Sequence, residues 1–198
     1  MTTMPAADLD FSPFAVFSEP FPYAITTRAF NDEVSYAVLE WLQAEASWKL
    51  VETDFYEQFE FSLADVQPPA RLSFLRERIF IDSLNAEIEK LFGVRLDERV
   101  DVTAHRLVRG QRIRIHNDYI FGGETHRLLV QLNHGWKVED GGLLMFFNSP
   151  DPSDVHKIFR PIHNTAVAFA ISSDSNHAVT TIHGSDRFTL VYTFYAER

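Results

Sequence analysis

Two textures of apolar spacing divide the chain. Val34, Ala37, Val38, Trp41 and Leu42 fall at i, i+3, i+4, i+7 and i+8, one face of a helix, and Asn31-Asp32 just before them offers a cap. Leu72, Leu75 and Ile79, then Leu84, Ile88 and Leu91, carry helical spacing through residues 70–92. They predict two helices, or one broken near Ile81-Asp82 or Ser83, with Gly93 placed as the terminator. Short alternating stretches at 23–27, 48–51 and 55–61 read as strands, the last two as a pair stopped by Pro68-Pro69.

After Gly93 the texture becomes strand-like. Runs at 100–107, 112–115, 127–132, 143–147, 157–159, 165–171, 178–182 and 188–195 are separated by turn signals such as Gly122-Gly123, Asp140-Gly141-Gly142 and Asn148-Ser149-Pro150. Eight short strands after a helical prelude predict a mainly β fold with supporting helices, a jelly-roll or barrel-like double sheet. Residues 1–22, with Pro5, Pro13, Pro20 and Pro22 and no usable periodicity, read as an irregular arm whose Phe11, Phe14 and Phe17 pack on the domain. Residues 23–99 form a support region and 100–198 the core, with 23–198 one domain.

Composition narrows the chemistry. The 198 residues contain no cysteine, which excludes disulfide scaffolds, zinc ribbons, iron–sulfur clusters and thiol catalysis. A bound metal must therefore use imidazole nitrogen and carboxylate oxygen. The net charge of −10 argues against nonspecific nucleic-acid binding, but does not exclude a cationic substrate. The first 22 residues lack the charged start of a secretory signal, and no apolar run approaches the ~20 residues of a membrane helix. A soluble, cytoplasmic protein without membrane or nucleic-acid partners is the expectation.

The informative residues are His116, Asp118, His177 and Arg187. In extended chain, i and i+2 share a face, so His116 and Asp118 at the end of one strand can converge on an ion. His177 opens another strand-like run 59 residues later, and strand neighbours in a double sheet can bring it to the same ion. Two imidazoles and a carboxylate form the facial donor set of non-haem Fe(II) oxygenases, leaving three positions open. Arg187 and Thr189 alternate onto one side, a guanidinium with a hydroxyl beside it, suited to the far carboxylate of a dicarboxylate.

His116-Asn117-Asp118, Leu132-Asn133 with Trp136, Gly141-Gly142-Leu143-Leu144, residues 177–182 and Arg187-Phe188-Thr189 together resemble the 2-oxoglutarate- and Fe(II)-dependent oxygenases, especially the prolyl-4-hydroxylase-like group. An isolated His-x-Asp carries little weight; the ordered set is specific. The resemblance spans residues 100–195, while the first 99 match only as helical support. It implies a double-stranded β-helix (cupin-like) fold, iron on His116, Asp118 and His177, and 2-oxoglutarate held by Arg187 and Thr189. Where related hydroxylases often carry a tyrosine this chain has Gln131, so Gln131 or Arg127 is the expected substitute contact.

The activity implied is dioxygenation: O2 and 2-oxoglutarate yield succinate and CO2 while an unactivated C–H of an amino-acid, peptidyl or small-molecule substrate is hydroxylated, with ascorbate as a possible reductant. Asp118 favours hydroxylation over halogenation, since related halogenases lack this carboxylate. The competing readings are a noncatalytic binding module of the same fold and a hydrolase or isomerase using another ion. Arg112 and Arg114 share a strand face and are read as either a solvated face or a cavity wall meeting an anion. Tyr119 and Phe121 are candidates for a loop over the substrate, and His183, the rival second ligand, lies in a turn and reads as exposed or as a substrate contact. The remaining histidines, His105 among them, read as surface or structural residues, and a homodimer through the aromatic arm is a possibility.

Overall fold

The computed structural model describes residues 11–45 and 47–197. Its strands are β1 (Ala15–Phe17), β2 (Tyr23–Thr26), β3 (Lys49–Glu52), β4 (Glu57–Ser62), β5 (Leu96–Leu107), β6 (Ile113–His116), β7 (His126–Gln131), β8 (Leu144–Phe147), β9 (Val155–Phe159), β10 (Ala166–Ala170), β11 (His177–Val179) and β12 (Arg187–Ala196). Two helices, α1 (Asp32–Ala44) and α2 (Arg78–Phe92), complete the regular structure with short 3-10 turns. All eight strands expected after Gly93 form. They fold into an eight-stranded sheet, ordered β1-β2-β10-β7-β12-β5-β4-β3, facing a four-stranded sheet, β6-β11-β8-β9. Every pairing is antiparallel. This is the double-stranded β-helix with helical backing.

The central strands of the large sheet are covered on both sides, which explains their continuous apolar runs in an antiparallel sheet. Leu129, Val167, Phe169 and Val191 point inward and pack with Leu144, Phe146, Val179 and Ile182 of the small sheet. Their neighbours Leu128, Val130, Ala168, Leu190 and Tyr192 point outward into a second core under α1 and α2. Asn31 caps α1 by accepting from the Val34 amide, and Gly93 closes α2 at φ 67°. Both terminators lie where the sequence puts them.

Two expectations need correction. The helical break falls at Glu77, not near Ile81-Asp82 or Ser83: residues Ala70–Arg76 form a 3-10 helix and α2 then runs uninterrupted. The error is one of phase. Ile79, counted as an apolar-face residue, is 80% exposed, while Phe80 and Ile81 are buried. Nor is the arm irregular throughout, because residues 15–17 add an edge strand to β2. Phe17 stacks on Tyr23 at 4.7 Å and Phe11 packs against the outer core, whereas residues 1–10 of the arm lie outside the described residues.

Candidate functional site

At one end of the sandwich the inner faces diverge around a cavity of about 320 Å³. β6 and β11 pair with His116 opposite His177, which places the two rings 4.1 Å apart between centroids. Asp118, just past β6, turns back at φ 58°, a left-handed conformation that aspartate tolerates better than most side chains. Its Oδ1 lies 3.3 Å from His116 Nε2 and its Oδ2 3.1 Å from His177 Nε2. Among the described residues these three form the only histidine–carboxylate group able to converge on one ion, with ligand atoms within 4.8 Å of one another.

The ring orientations suit that use. His116 Nδ1 donates to the Arg114 carbonyl at 2.9 Å and His177 Nδ1 to the Ser175 carbonyl at 2.7 Å. A carbonyl only accepts, so each Nδ1 carries the proton and each Nε2 turns its lone pair toward the cluster. Phe55 stacks on His116 at 4.4 Å and Phe169 packs on His177 at 5.0 Å, limiting ring rotation. Burial raises the Asp118 carboxyl pKa, but the Arg127 guanidinium bound to it and the two imidazoles against it outweigh that and hold the group far below the carboxylate range. Burial keeps His177 neutral, the state a metal ligand needs. Two imidazoles turning Nε2 toward one anionic carboxylate, with open space beside them, fit Fe(II).

Arg187 and Thr189 enter the same cavity from β12, their shared face set by alternation. Arg187 is 4% exposed, its Nε makes no hydrogen bond, and burial lowers its pKa to about 10. A buried guanidinium with an idle donor fits an anionic ligand. Thr189 Oγ1 donates to Gln131 Oε1 at 3.2 Å, placing Gln131 beside the same subsite. Arg127 is directed elsewhere: one arm binds Asp118 at 2.5 Å and the other Glu124 at 2.5 Å. Its engagement is with the carboxylate of the metal cluster rather than with Thr189.

Arg112, just before β6, and Arg114 within it do not form a wall of this cavity. Arg112 and Arg114 line a separate groove, which meets the cavity at Phe55 and Tyr56. Tyr119 and Phe121 are 49% and 91% exposed and do not line the cavity. His183 is exposed, as expected. Gly141 and Gly142 do more than turn the chain: a Cβ on Gly142 would stand 3.0 Å from Arg187 Cδ, so the missing side chain gives that arginine room.

Several cavity residues escape sequence reasoning. The register places Glu60 opposite His105, His105 opposite Thr189 and Thr189 opposite Gln131, a polar row across four strands of the floor. Gln58 and Glu60 alternate with Phe59 and Phe61, a pattern that reads equally well as a solvated strand face. His105, which the sequence alone presents as a surface or structural histidine, lines the cavity, and burial with the Arg127 and Arg187 charges pushes its pKa down to about 3. Tyr56 covers the row from the β3–β4 hairpin.

The family model of the 2OG-Fe(II) oxygenase superfamily matches residues 102–195 of the chain. That match and the donor set of His116, Asp118 and His177 are those of a 2-oxoglutarate-dependent non-haem iron dioxygenase. Its fold is similar to a prolyl-4-hydroxylase of Pseudomonas putida (TM-score 0.70, 18% identity, 89% of this chain and 93% of that one). A Trichoplax adhaerens prolyl hydroxylase, solved with a hypoxia inducible factor oxygen degradation domain peptide, gives TM-score 0.72 at 15% identity over 87% and 83% of the two chains. The collagen prolyl hydroxylase of Paramecium Bursaria Chlorella virus-1, solved as a 2OG complex, gives 0.58 at 14% identity over 88% and 96%. No curated protein matches the chain in sequence.

Proposed function

We propose that this chain hydroxylates an unactivated C–H bond of an amino-acid, peptidyl or small-molecule substrate. The observation carrying the reading is the convergence of His116, Asp118 and His177 in a cavity that also holds a buried guanidinium with an unused donor, Arg187. When bound, iron and 2-oxoglutarate supply oxygen activation, one O2 atom going to the substrate and the other to succinate as CO2 is released.

The residues of the chain supply the setting. His116, Asp118 and His177 would hold the metal, and the carbonyl partners of the two Nδ1 protons fix both rings. Arg187, with Thr189 and Gln131, pairs the distal carboxylate of the cosubstrate, where the missing tyrosine of related enzymes would otherwise contribute. Arg127 holds Asp118 in its turned-back conformation. Phe55 and Tyr56 shield the site from the groove and limit water. The Trichoplax neighbour, solved with a peptide, supports an amino-acid or peptidyl substrate.

Anaerobic addition of Fe(II) and 2-oxoglutarate is expected to produce the visible charge-transfer band of the chelate, and admission of air to produce succinate. Asp118→Ala is expected to abolish both. A wild-type protein that binds Fe(II) without that band on adding 2-oxoglutarate would sink this reading.

A further inference from the structure

Three carboxylates, Glu60, Asp118 and Glu124, line the cavity against two guanidinium groups, Arg127 and Arg187. Asp118 and Glu124 share Arg127, while Arg187 stands apart as the group for the cosubstrate. An Fe(II) ion and a 2-oxoglutarate dianion cancel each other, so loading the site leaves the imbalance in place. The carboxylate left over is Glu60.

Among the described residues, no lysine or arginine forms an ion pair with Glu60. Gln58 Nε2 donates to Glu60 Oε2 at 3.0 Å, a neutral hydrogen bond. His105 Nε2 lies 3.9 Å away, too far for a hydrogen bond, and His105 is uncharged at neutral pH. Lys49, its cross-strand neighbour on β3, is exposed and makes no ion pair with it. A second feature points the same way: Gln58 lines the cavity, is 2% exposed, and its Oε1 has no hydrogen-bond partner. A buried acceptor without a donor sits two residues from a carboxylate without a cation. Tyr56 adds an aromatic wall on the same side, and Glu60 is close enough to help raise its pKa.

We propose that Glu60, with Gln58 Oε1 and the Tyr56 ring, forms a subsite for the protonated amine or guanidinium group of the substrate, so that the chain acts on a basic amino-acid or peptidyl side chain. This rests on the oxygenase reading above and adds the substrate class to it. The cation donates to Glu60 and to the idle Gln58 oxygen, and its charge removes the imbalance of the loaded cavity. The rest of the side chain then extends toward the metal cluster across the cavity floor.

The test uses Nα-acetyl-lysine amide and Nα-acetyl-arginine amide beside their neutral counterparts, the norleucine and citrulline amides. With the Fe(II)- and 2-oxoglutarate-loaded protein, at least one cationic probe is expected to accelerate succinate formation and to have a tenfold or lower KM than its neutral counterpart. Glu60→Gln is expected to erase that difference, and Glu60→Asp to retain part of it. Calorimetric titration of the metal-free protein with the same probes reads the subsite without iron. Failure of the chelate band with cation preference intact by calorimetry therefore counts against the oxygenase reading and not against this one. Equal affinity for charged and neutral probes, no response to either cationic probe, or an unchanged preference in Glu60→Gln would each overturn the subsite.

Discussion

His126 shows how a single buried titratable group shapes the response of this chain to acid. Its ring packs on Phe92 at 4.9 Å, its Nδ1 lies 3.0 Å from the Thr125 hydroxyl, and burial lowers its pKa to about 4. The unfolded chain, titrating near 6.5, binds more protons than the folded one between those values, so stability falls as pH drops from about 6.5 toward 4. A shift of this size corresponds to about 3 kcal/mol. His126→Gln is expected to flatten urea midpoints between pH 7 and 4.5 relative to the parent, both metal-free; parallel curves would refute the assignment. From sequence, His126 and His105 looked alike. What separates them is tertiary: one lies under a helix end, the other on a cavity floor, and no local pattern encodes which face of a strand meets a void. His116, Asp118, His177 and Arg187 stood out because their spacing and order, rather than their environments, carry the signal.

At the scale of elements, the turn before β8 links fold to chemistry. Trp136 Nε1 donates to the Gly141 carbonyl at 2.9 Å, and Gly141 bridges Ile182, bringing the turn against the approach to β12. Gly142 has φ 62°, and a Cβ there would meet Ile182 Cδ1 at 2.6 Å as well as Arg187 Cδ. Gly142→Ala is therefore expected to displace Arg187 and raise the KM for 2-oxoglutarate at least tenfold, with a smaller effect on kcat. An unchanged KM would separate the turn from the anion subsite. Strands and turns were legible because apolar runs and Gly-Gly pairs are local. The break at Glu77 was not, since Leu72 and Leu75 suit a 3-10 turn as well as an α-helix and only packing against Phe30 and Tyr192 fixes which residues of α2 face inward. The short β1 was equally hidden, because three residues beside β2 acquire strand geometry only from their neighbour.

For the whole molecule, the question is whether residues 23–99 and 100–198 can stand apart. We propose that they cannot. β2 pairs with β10 and β4 with β5, so strands from the first half flank the second half within one sheet. The outer core joins Val38, Leu42, Phe80, Leu84 and Ile88 of the helices to Leu128, Val130, Leu190 and Tyr192 of the sheet. Removing the first half would bare that face and uncover two strand edges, a combination that favours aggregation over folding. It would also remove Phe55, Tyr56, Gln58 and Glu60 from the cavity while leaving every metal-cluster residue in the chain. Residues 100–198 expressed alone are therefore expected to be insoluble or unfolded, although they contain His116, Asp118, His177 and Arg187. In the full chain, Trp41 and Trp48 report on the outer core and far-ultraviolet dichroism on the sheets, so their urea transitions should superimpose. A soluble 100–198 fragment with cooperative unfolding, or two separated transitions in the full chain, would show the support region to be a separate unit.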